Sequence, residues 1–225
     1  MTPLRKKEKI MEKSKQEQGS TLIDQLAHDA AEVLLQNDVE APIDSQELLT
    51  AACDYIVLAF EQRVGRKPEE ADQCQVIPAA IAAVHAFLLR QTTNGLGLLY
   101  TFGYTDVDLC ADAAIEQLVA LDVVIVDIRY SPNSRVAKWR QVQLQERLGE
   151  QYIHIQALGN VNYNRPGAPI HLLQSENGVS LVGERLQRGQ HLALMCMCRE
   201  VEECHRLEAA RRVQALLPDV LVIHL

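Results

Sequence analysis

The sequence lacks the long apolar runs that membrane-spanning helices require. A spanning helix takes roughly 18 or more apolar residues in succession, whereas the longest candidate, residues 76–89, has 14 and contains Pro78 and His85. The first 20 residues are charged, and no apolar segment typical of a secretory signal follows them. We therefore predict a cytoplasmic protein without membrane association, in which residues 76–89 form a buried helix.

Positive charge is also scarce. The chain has 22 Lys and Arg against 30 Asp and Glu, a formal net charge of −8. An acidic balance of this size argues against a protein that coats nucleic acid, although a local basic groove stays compatible with it. Hydrophobic residues make up 48% and charged residues 23% of the chain, which excludes a wholly disordered or fibrous protein.

The cysteines do not form the dense framework of a small secreted domain. Their positions are scattered in a chain of 225 residues, which is long enough to build a core without covalent help. We therefore expect six reduced thiols rather than disulfides. The six residues are Cys53, Cys74, Cys110, Cys196, Cys198 and Cys204.

Three segments follow one another along the chain. Residues 1–20 carry six Lys or Arg against three Glu and form a predicted solvated tail. Residues 21–95 are predicted to be a helical extension, because Leu22, Leu26 and Leu34 approximate a helical stripe and Asp44 and Ser45 can cap a second helix. Residues 96–225 change to alternating apolar strands and amphipathic helices.

This alternation predicts an α/β domain with a mainly parallel, Rossmann-like sheet and helices on both faces. The predicted helices cover residues 106–121, 140–149, 179–188 and 202–216, and the predicted strands cover 98–104, 122–129, 152–155, 191–196 and 220–225.

Ionisable side chains concentrate where these strands end, which is where open parallel sheets bind ligands. We assign candidate catalytic roles to Asp127, Cys196, Cys204 and His205. The candidate ligand-binding residues are Tyr104, Arg129, Ser131, Ser134, Arg135 and Arg206.

The chemistry of these side chains supports more than one use. Arginine forks and a helix amino terminus near His205 favour a phosphate or carboxylate ligand. A thiol beside His205 at that helix start would have a lowered pKa and could act as a nucleophile. The alternatives are structural: Asp127 and Arg129 can form an ion pair, and Cys196 can be a small core residue.

Spacing tests two familiar motifs. A phosphatase-type or rhodanese-type loop needs an arginine about six residues after a strand-end cysteine, but Glu202 follows Cys196 at that distance. A zinc site could use Cys196, Cys198, Cys204 and His205, but adjacent ligands such as Cys204 and His205 fit one tetrahedral ion poorly. We therefore assign no metal ligand and no cofactor from the sequence.

The motifs also share their order and spacing with a known family. They are Thr101 to Tyr104, Val126 to Arg129 with Pro132, Ser134 and Arg135, Tyr152 and His154 with Leu158 and Gly159, Cys196, Cys204 to Arg206, and Val222 with His224. Residues 99–225 thereby resemble the family called domain of unknown function 488. The resemblance implies an α/β domain with these motifs at one site, and it departs from the family pattern in having Cys198 where Glu is common.

Three functions remain open from the sequence. The first is an enzyme acting on a phosphorylated or nucleotide-like ligand at an anion site. The second is a module that binds nucleic acid or nucleotides without catalysis, using aromatic residues to stack on bases. The third is a redox or metal-responsive protein that uses Cys196, Cys198 and Cys204.

Overall fold

The structure, a computed structural model, describes residues 22–35, 45–92, 94–105 and 110–225. The predicted tail over residues 1–20 lies outside these ranges, as do residues 106–109 of the helix predicted over 106–121. The described residues divide after Arg90 into two compact units. The first is helical, and the second is an α/β unit.

The helical unit contains three helices in its described part. Helix α1 covers residues 22–35, α2 covers Ser45–Val64 and α3 covers Glu70–Gln91. Apolar residues at helical spacing form its interior, among them Leu26, Ile56 and Val84, which are fully buried. Helix α3 continues through Pro78.

Helix α3 is the one helix in the described part of the chain that is long and apolar enough to cross a membrane by length and composition. Half of the qualifying window, Asp72–Gln91, is buried inside the structure. A core helix passes the same test because its buried face is apolar. The burial agrees with the buried helix predicted over residues 76–89.

Five parallel strands form the sheet of the α/β unit. They are β1 Leu99–Gly103, β2 Val124–Asp127, β3 Tyr152–His154, β4 Leu192–Cys196 and β5 Val222–His224. Their order across the sheet is β3-β2-β4-β1-β5, and every pairing is parallel. The predicted Rossmann-like α/β class is therefore confirmed.

The register brings the strand ends together at one edge. Gly103 of β1 pairs with Cys196 of β4, while Asp127 of β2 lies opposite both Met195 of β4 and His154 of β3. Because all strands run in the same direction, their carboxyl ends meet at this edge. We call it the carboxyl edge of the sheet.

In the described part of the α/β unit four α-helices connect the strands, and three of them start three or more residues from the predicted position. They are α4 Ala111–Ala120, α5 Gln141–Leu148, α6 Ser175–Gln187 and α7 His205–Leu216. Helix α4 follows Cys110, whose left-handed backbone (φ 47°) cannot belong to a right-handed helix. Helix α7 starts three residues later than predicted because Cys204 is still extended, with φ −107° and ψ 141°.

Alternating side chains of the strands supply two buried faces. Leu192, Leu194 and Cys196 of β4 belong to the core that α6 and α7 complete with residues such as Val182 and Val213. Successive strand residues point to opposite faces, and Ala193 and Met195 between them are fully buried as well. A strand buried on both faces explains the near-continuous apolar runs in the sequence.

The expectation of six reduced cysteines is wrong for two of them. Cys74 and Cys110 are each disulfide-bonded. The four free thiols are Cys53, Cys196, Cys198 and Cys204.

Replacing a core residue of the central strand tests this packing. Leu194→Ala removes a fully buried side chain, so we expect it to lower the free energy of unfolding by about 2–5 kcal/mol in a urea titration. The matched control is Leu181→Ala on α6, where the leucine is exposed and the loss should stay within about 0.5 kcal/mol. Equal losses in the two variants would contradict the assigned core.

Candidate functional site

Three cysteines and one histidine converge at the carboxyl edge. Cys196 ends β4, Cys198 follows it, Cys204 caps α7 and His205 is the first residue of that helix. Their three sulfur atoms and one ring nitrogen all lie within 4.8 Å of one another. We call these four residues the cysteine–histidine cluster.

The individual distances inside the cluster are short. The Cys196 Sγ lies 3.7 Å from the Cys198 Sγ and 3.6 Å from the His205 Nδ1. The Cys204 Sγ lies 3.9 Å from the same Nδ1. Although adjacent residues were expected to fit one tetrahedral ion poorly, the structure brings the ligand atoms of Cys204 and His205 close to the same two sulfur atoms. The backbone changes from extended to helical between them, which turns both side chains toward the same point.

The imidazole of His205 has a fixed orientation. Its Nε2 lies 3.0 Å from the carbonyl oxygen of Ile128, just past the end of β2. A carbonyl can only accept a hydrogen bond, so Nε2 carries the proton and donates it. In the neutral ring, Nδ1 then presents its lone pair to the sulfur atoms.

Burial differs within the cluster. The exposed fractions of Cys196, Cys204 and His205 are 2%, 1% and 6%, whereas Cys198 is only half-buried. Cys198 is therefore the member that solvent reaches most easily. The next residue toward β4, Met197, is exposed, so the backbone leaves the core at this point.

Hydrogen bonds within the cluster shift the pKa values of its members in different directions. Hydrogen bonds from Cys196 and Cys204, together with His205, lower the pKa of the Cys198 thiol. The same hydrogen bond to Cys198 raises the pKa of Cys196 to about 12. Burial opposes a charged His205, but its hydrogen bonds to Cys198 and Cys204 outweigh this effect and raise its pKa to about 9. These shifts favour a negative charge on Cys198 and a positive charge on His205.

Arg206 fastens the loop that carries the cluster. Its Nη1 donates to the Cys198 carbonyl at 2.6 Å and its Nη2 donates to the Arg199 carbonyl at 2.8 Å. The Arg206 side chain is 1% exposed. The sequence predicts that Arg206 binds an anionic ligand. In the structure its donors bind backbone carbonyls between β4 and α7.

Gly103 makes room for this loop at the end of β1. A Cβ atom at Gly103 would lie 1.7 Å from the Cys198 carbonyl oxygen and 2.7 Å from the Arg206 Nη1. Both distances are far below van der Waals contact, so this position requires glycine for a close approach of two backbones. The Gly-Tyr end of the first predicted strand thus has a packing role at the site.

A buried ion pair lies beside the cluster. The Arg129 Nε donates to the Asp127 Oδ1 at 2.8 Å, and the Arg129 Nη2 binds the other carboxylate oxygen. Tyr152 donates its hydroxyl to the Asp127 Oδ2 at 2.7 Å, while the Arg129 Nη1 donates to the Tyr104 hydroxyl at 3.2 Å. We call these four residues the Asp127–Arg129 network. Asp127 and Arg129 satisfy each other, which corresponds to the structural alternative that the sequence left open.

The network and the cluster meet at three consecutive residues that end and follow β2. The Ile128 carbonyl, which orients His205, lies between Asp127 and Arg129 in the chain. The Arg129 carbonyl accepts a hydrogen bond from the His154 Nε2 at 2.8 Å. The network therefore fixes the backbone carbonyl that accepts the hydrogen bond from His205.

The remaining candidate ligand-binding residues lie in the loop after β2. Ser131 and Ser134 are half-buried, and Arg135 is exposed. The Ser134 Oγ accepts a hydrogen bond from the Val136 amide at 3.2 Å, and the Ser134 carbonyl accepts one from the Arg140 Nε at 3.0 Å. These contacts order the loop without joining it to the cysteine–histidine cluster.

Two residues of the site were not assigned from the sequence. Cys198 is absent from the candidate catalytic and ligand-binding residues and enters only through the metal and redox alternatives, although its spacing of two from Cys196 at a strand end is a signal for paired sulfur ligands. Tyr152 was noted only as part of the family pattern. Its bond to Asp127 depends on the pairing of β2 with β3, which the sequence did not specify.

The fold and site thus define an α/β protein with a cysteine–histidine cluster at the carboxyl edge of a parallel sheet. Residues 112–213 match the family model described as Domain of unknown function DUF488. The resemblance inferred from the sequence is therefore confirmed for this part of the chain, which includes the whole cluster. No curated protein and no solved structure matches the chain.

Removing the negative charge of the network tests its structural role. Asp127→Asn would leave the buried Arg129 guanidinium without its counter-charge, so we expect the free energy of unfolding to fall by about 3 kcal/mol or more. The control is Asp112→Asn, because Asp112 pairs with Lys138 and Arg147 at the surface and such pairs contribute about 1 kcal/mol or less. A loss at Asp127 no larger than at Asp112 would contradict the buried pair.

Proposed function

We propose that this protein binds one soft divalent metal ion of the zinc class through the cysteine–histidine cluster. The observation that carries the proposal is the spacing of the four ligand atoms. In a tetrahedral zinc site with Zn–S of about 2.3 Å and Zn–N of about 2.0–2.1 Å, two sulfur atoms lie about 3.8 Å apart and sulfur lies about 3.6 Å from nitrogen.

Three of the six separations in the cluster are close to these values. Cys196 Sγ and Cys198 Sγ are 3.7 Å apart, and the His205 Nδ1 is 3.6 Å from the Cys196 Sγ and 3.9 Å from the Cys204 Sγ. All four ligand atoms lie within 4.8 Å of one another. A zinc ion at the centre could thus reach all four ligands once the longer separations contract.

The surroundings of the ligands also suit a metal. A metal-binding histidine ordinarily donates its second ring N–H to a carbonyl or carboxylate, which fixes its tautomer, and His205 donates to Ile128 in this way. The Arg206 backbone amide donates to the Cys204 Sγ at 3.5 Å. Such a bond stabilises a thiolate rather than a thiol.

Charge balance supports the same assignment. Three thiolates and one neutral imidazole around a divalent ion leave a net charge of −1. The buried guanidinium of Arg206, fixed to the Cys198 carbonyl, supplies a positive charge next to this centre. Its Nε has no hydrogen-bond partner among the described residues. The acceptors of its Nη1 and Nη2 are backbone carbonyls, which carry no net charge.

Four protein ligands define a closed site. Catalytic zinc sites usually keep one position for water or substrate, whereas structural sites fill all four with side chains. We infer that the metal holds the loop between β4 and α7 against the sheet and that its presence depends on reduced thiols, which agrees with a cytoplasmic location.

A phosphorylated small molecule or nucleic acid as partner stays a prediction. Its remaining support is the exposed Arg135, since Arg129 and Arg206 already have partners.

Metal analysis of untagged protein purified without chelators tests the proposal. We expect about one zinc ion per chain by elemental mass spectrometry, and a large loss of zinc in Cys204→Ser and His205→Ala. The matched control is Cys53→Ser, because Cys53 is a free cysteine outside the cluster and its loss should leave the zinc content unchanged. Circular dichroism establishes that each variant is folded. Folded wild-type protein that takes up neither zinc nor cobalt would overturn the proposal.

Removing the metal should lower stability in a way that zinc reverses. An ion that binds only the folded state stabilises it by mass action, about 2.7 kcal/mol at a free concentration of 100 Kd. We therefore expect a chelator to lower the Tm of the wild-type protein and of Cys53→Ser, and added zinc to restore it. The Tm of Cys204→Ser should respond to neither treatment, and an equal response in this variant would place the metal elsewhere.

A further inference from the structure

One ligand of the proposed centre is open to reagents from solvent. Cys196, Cys204 and His205 are buried, but Cys198 is half-buried and follows the exposed Met197. Cys198 is thus the one cluster member that solvent reaches to a substantial extent, so a small oxidant meets this residue before the other three. Metal coordination keeps this sulfur deprotonated, which is the form that reacts as a nucleophile.

A second thiol lies within reach of the first. The Cys196 Sγ is 3.7 Å from the Cys198 Sγ and is itself shielded from solvent. Reversible thiol sensors combine an accessible thiolate with a nearby resolving cysteine that captures the oxidised sulfur before it is oxidised further. The arrangement of Cys198 and Cys196 meets both conditions.

The geometry points to a peroxide-reactive site: we propose that a hydroperoxide oxidises Cys198, that Cys196 resolves it as a disulfide, and that the metal is released. The inference rests on the proposed function, because the released ion is the one that the cluster binds. Cys53 provides the contrast within the chain, since burial raises the pKa of its thiol to about 11 and it lies outside the cluster.

The reaction balances without a further reactant. The Cys198 thiolate attacks one oxygen of hydrogen peroxide, the O–O bond breaks, and hydroxide leaves with the electron pair, so that Cys198 becomes a sulfenic acid. The Cys196 thiolate then attacks this sulfur, the S–O bond breaks, and a second hydroxide leaves. Two protons convert the hydroxides to water. In total, two thiolates lose two electrons and one peroxide is reduced to two water molecules.

Loss of these two thiolates leaves the ion with Cys204 and His205 alone. Two ligands do not hold zinc against solvent as four do, so the ion departs. The Cys198 carbonyl would remain bonded to Arg206, and a thiol reductant would regenerate the ligand set. Metal content would thereby report on the balance of oxidant and reductant.

Zinc release during peroxide titration tests the inference on the whole chain. Zinc-loaded wild-type protein and Cys53→Ser are treated with hydrogen peroxide in the presence of a zinc-responsive dye. We expect both to release about one zinc ion per peroxide consumed, to lose two mass units per chain, and to yield a peptide in which Cys196 and Cys198 are joined. Zinc and a reductant together should restore the starting state.

Removing the proposed resolving thiol tests the order of the two steps. In Cys196→Ser, we expect peroxide to leave Cys198 as a sulfenic acid that dimedone labels, whereas Cys53→Ser should form the Cys196–Cys198 disulfide and show little labelling. Retention of zinc by wild-type protein with Cys198 unmodified would overturn this inference and leave the proposed function standing. A disulfide between Cys198 and Cys204 would overturn the assignment of Cys196 as the resolving thiol. Protein that never binds zinc would overturn both.

Discussion

The parallel pairing of β2 with β4 is the constraint on which the candidate site depends. It sets Asp127 beside Met195, so that the backbone leaving β2 passes next to Cys196 and the loop that follows it. From this position the Ile128 carbonyl accepts a hydrogen bond from the His205 Nε2. The other ring nitrogen, Nδ1, then faces the sulfur atoms. A shift of one residue between these strands would reverse which side chains face the core and separate the two halves of the site.

Two arginines, Arg129 and Arg206, are buried at this edge, and their positive charges have different partners. Arg129 is neutralised by the Asp127 carboxylate and donates to the Tyr104 hydroxyl, while the Tyr152 hydroxyl donates to Asp127. The Arg206 guanidinium donates to the carbonyls of Cys198 and Arg199. These acceptors carry no net charge, so the positive charge of Arg206 suits a neighbour with a net charge of −1. Burying an unbalanced charge costs free energy, and the proposed metal held by three thiolates would supply the balance. In this proposal the Asp127–Arg129 network positions the backbone, and the cluster would bind the ion.

The sequence predicted the class of fold and the edge of the sheet at which the site lies. Apolar runs such as residues 191–196 identify doubly buried strands, and the carboxyl ends of parallel strands follow from topology alone. The sequence could not decide between roles that depend on distances. Arg206 has the chemistry of an anion-binding residue, yet its partners are carbonyls eight and seven residues before it. Adjacent Cys204 and His205 were expected to fit one ion poorly. The sequence did not reveal the change of backbone conformation between them, which is a property of the capped helix start.

The central claim is that three sulfur atoms and one imidazole nitrogen surround a single ion. X-ray absorption at the zinc edge of the purified, untagged protein measures this ligand set directly, because the amplitude and phase of the scattering distinguish sulfur from nitrogen and oxygen. The account predicts three sulfur atoms at about 2.3 Å and one nitrogen at about 2.0–2.1 Å. A shell of nitrogen and oxygen without sulfur, or protein that carries no metal after equilibration with zinc under reducing conditions, would contradict it.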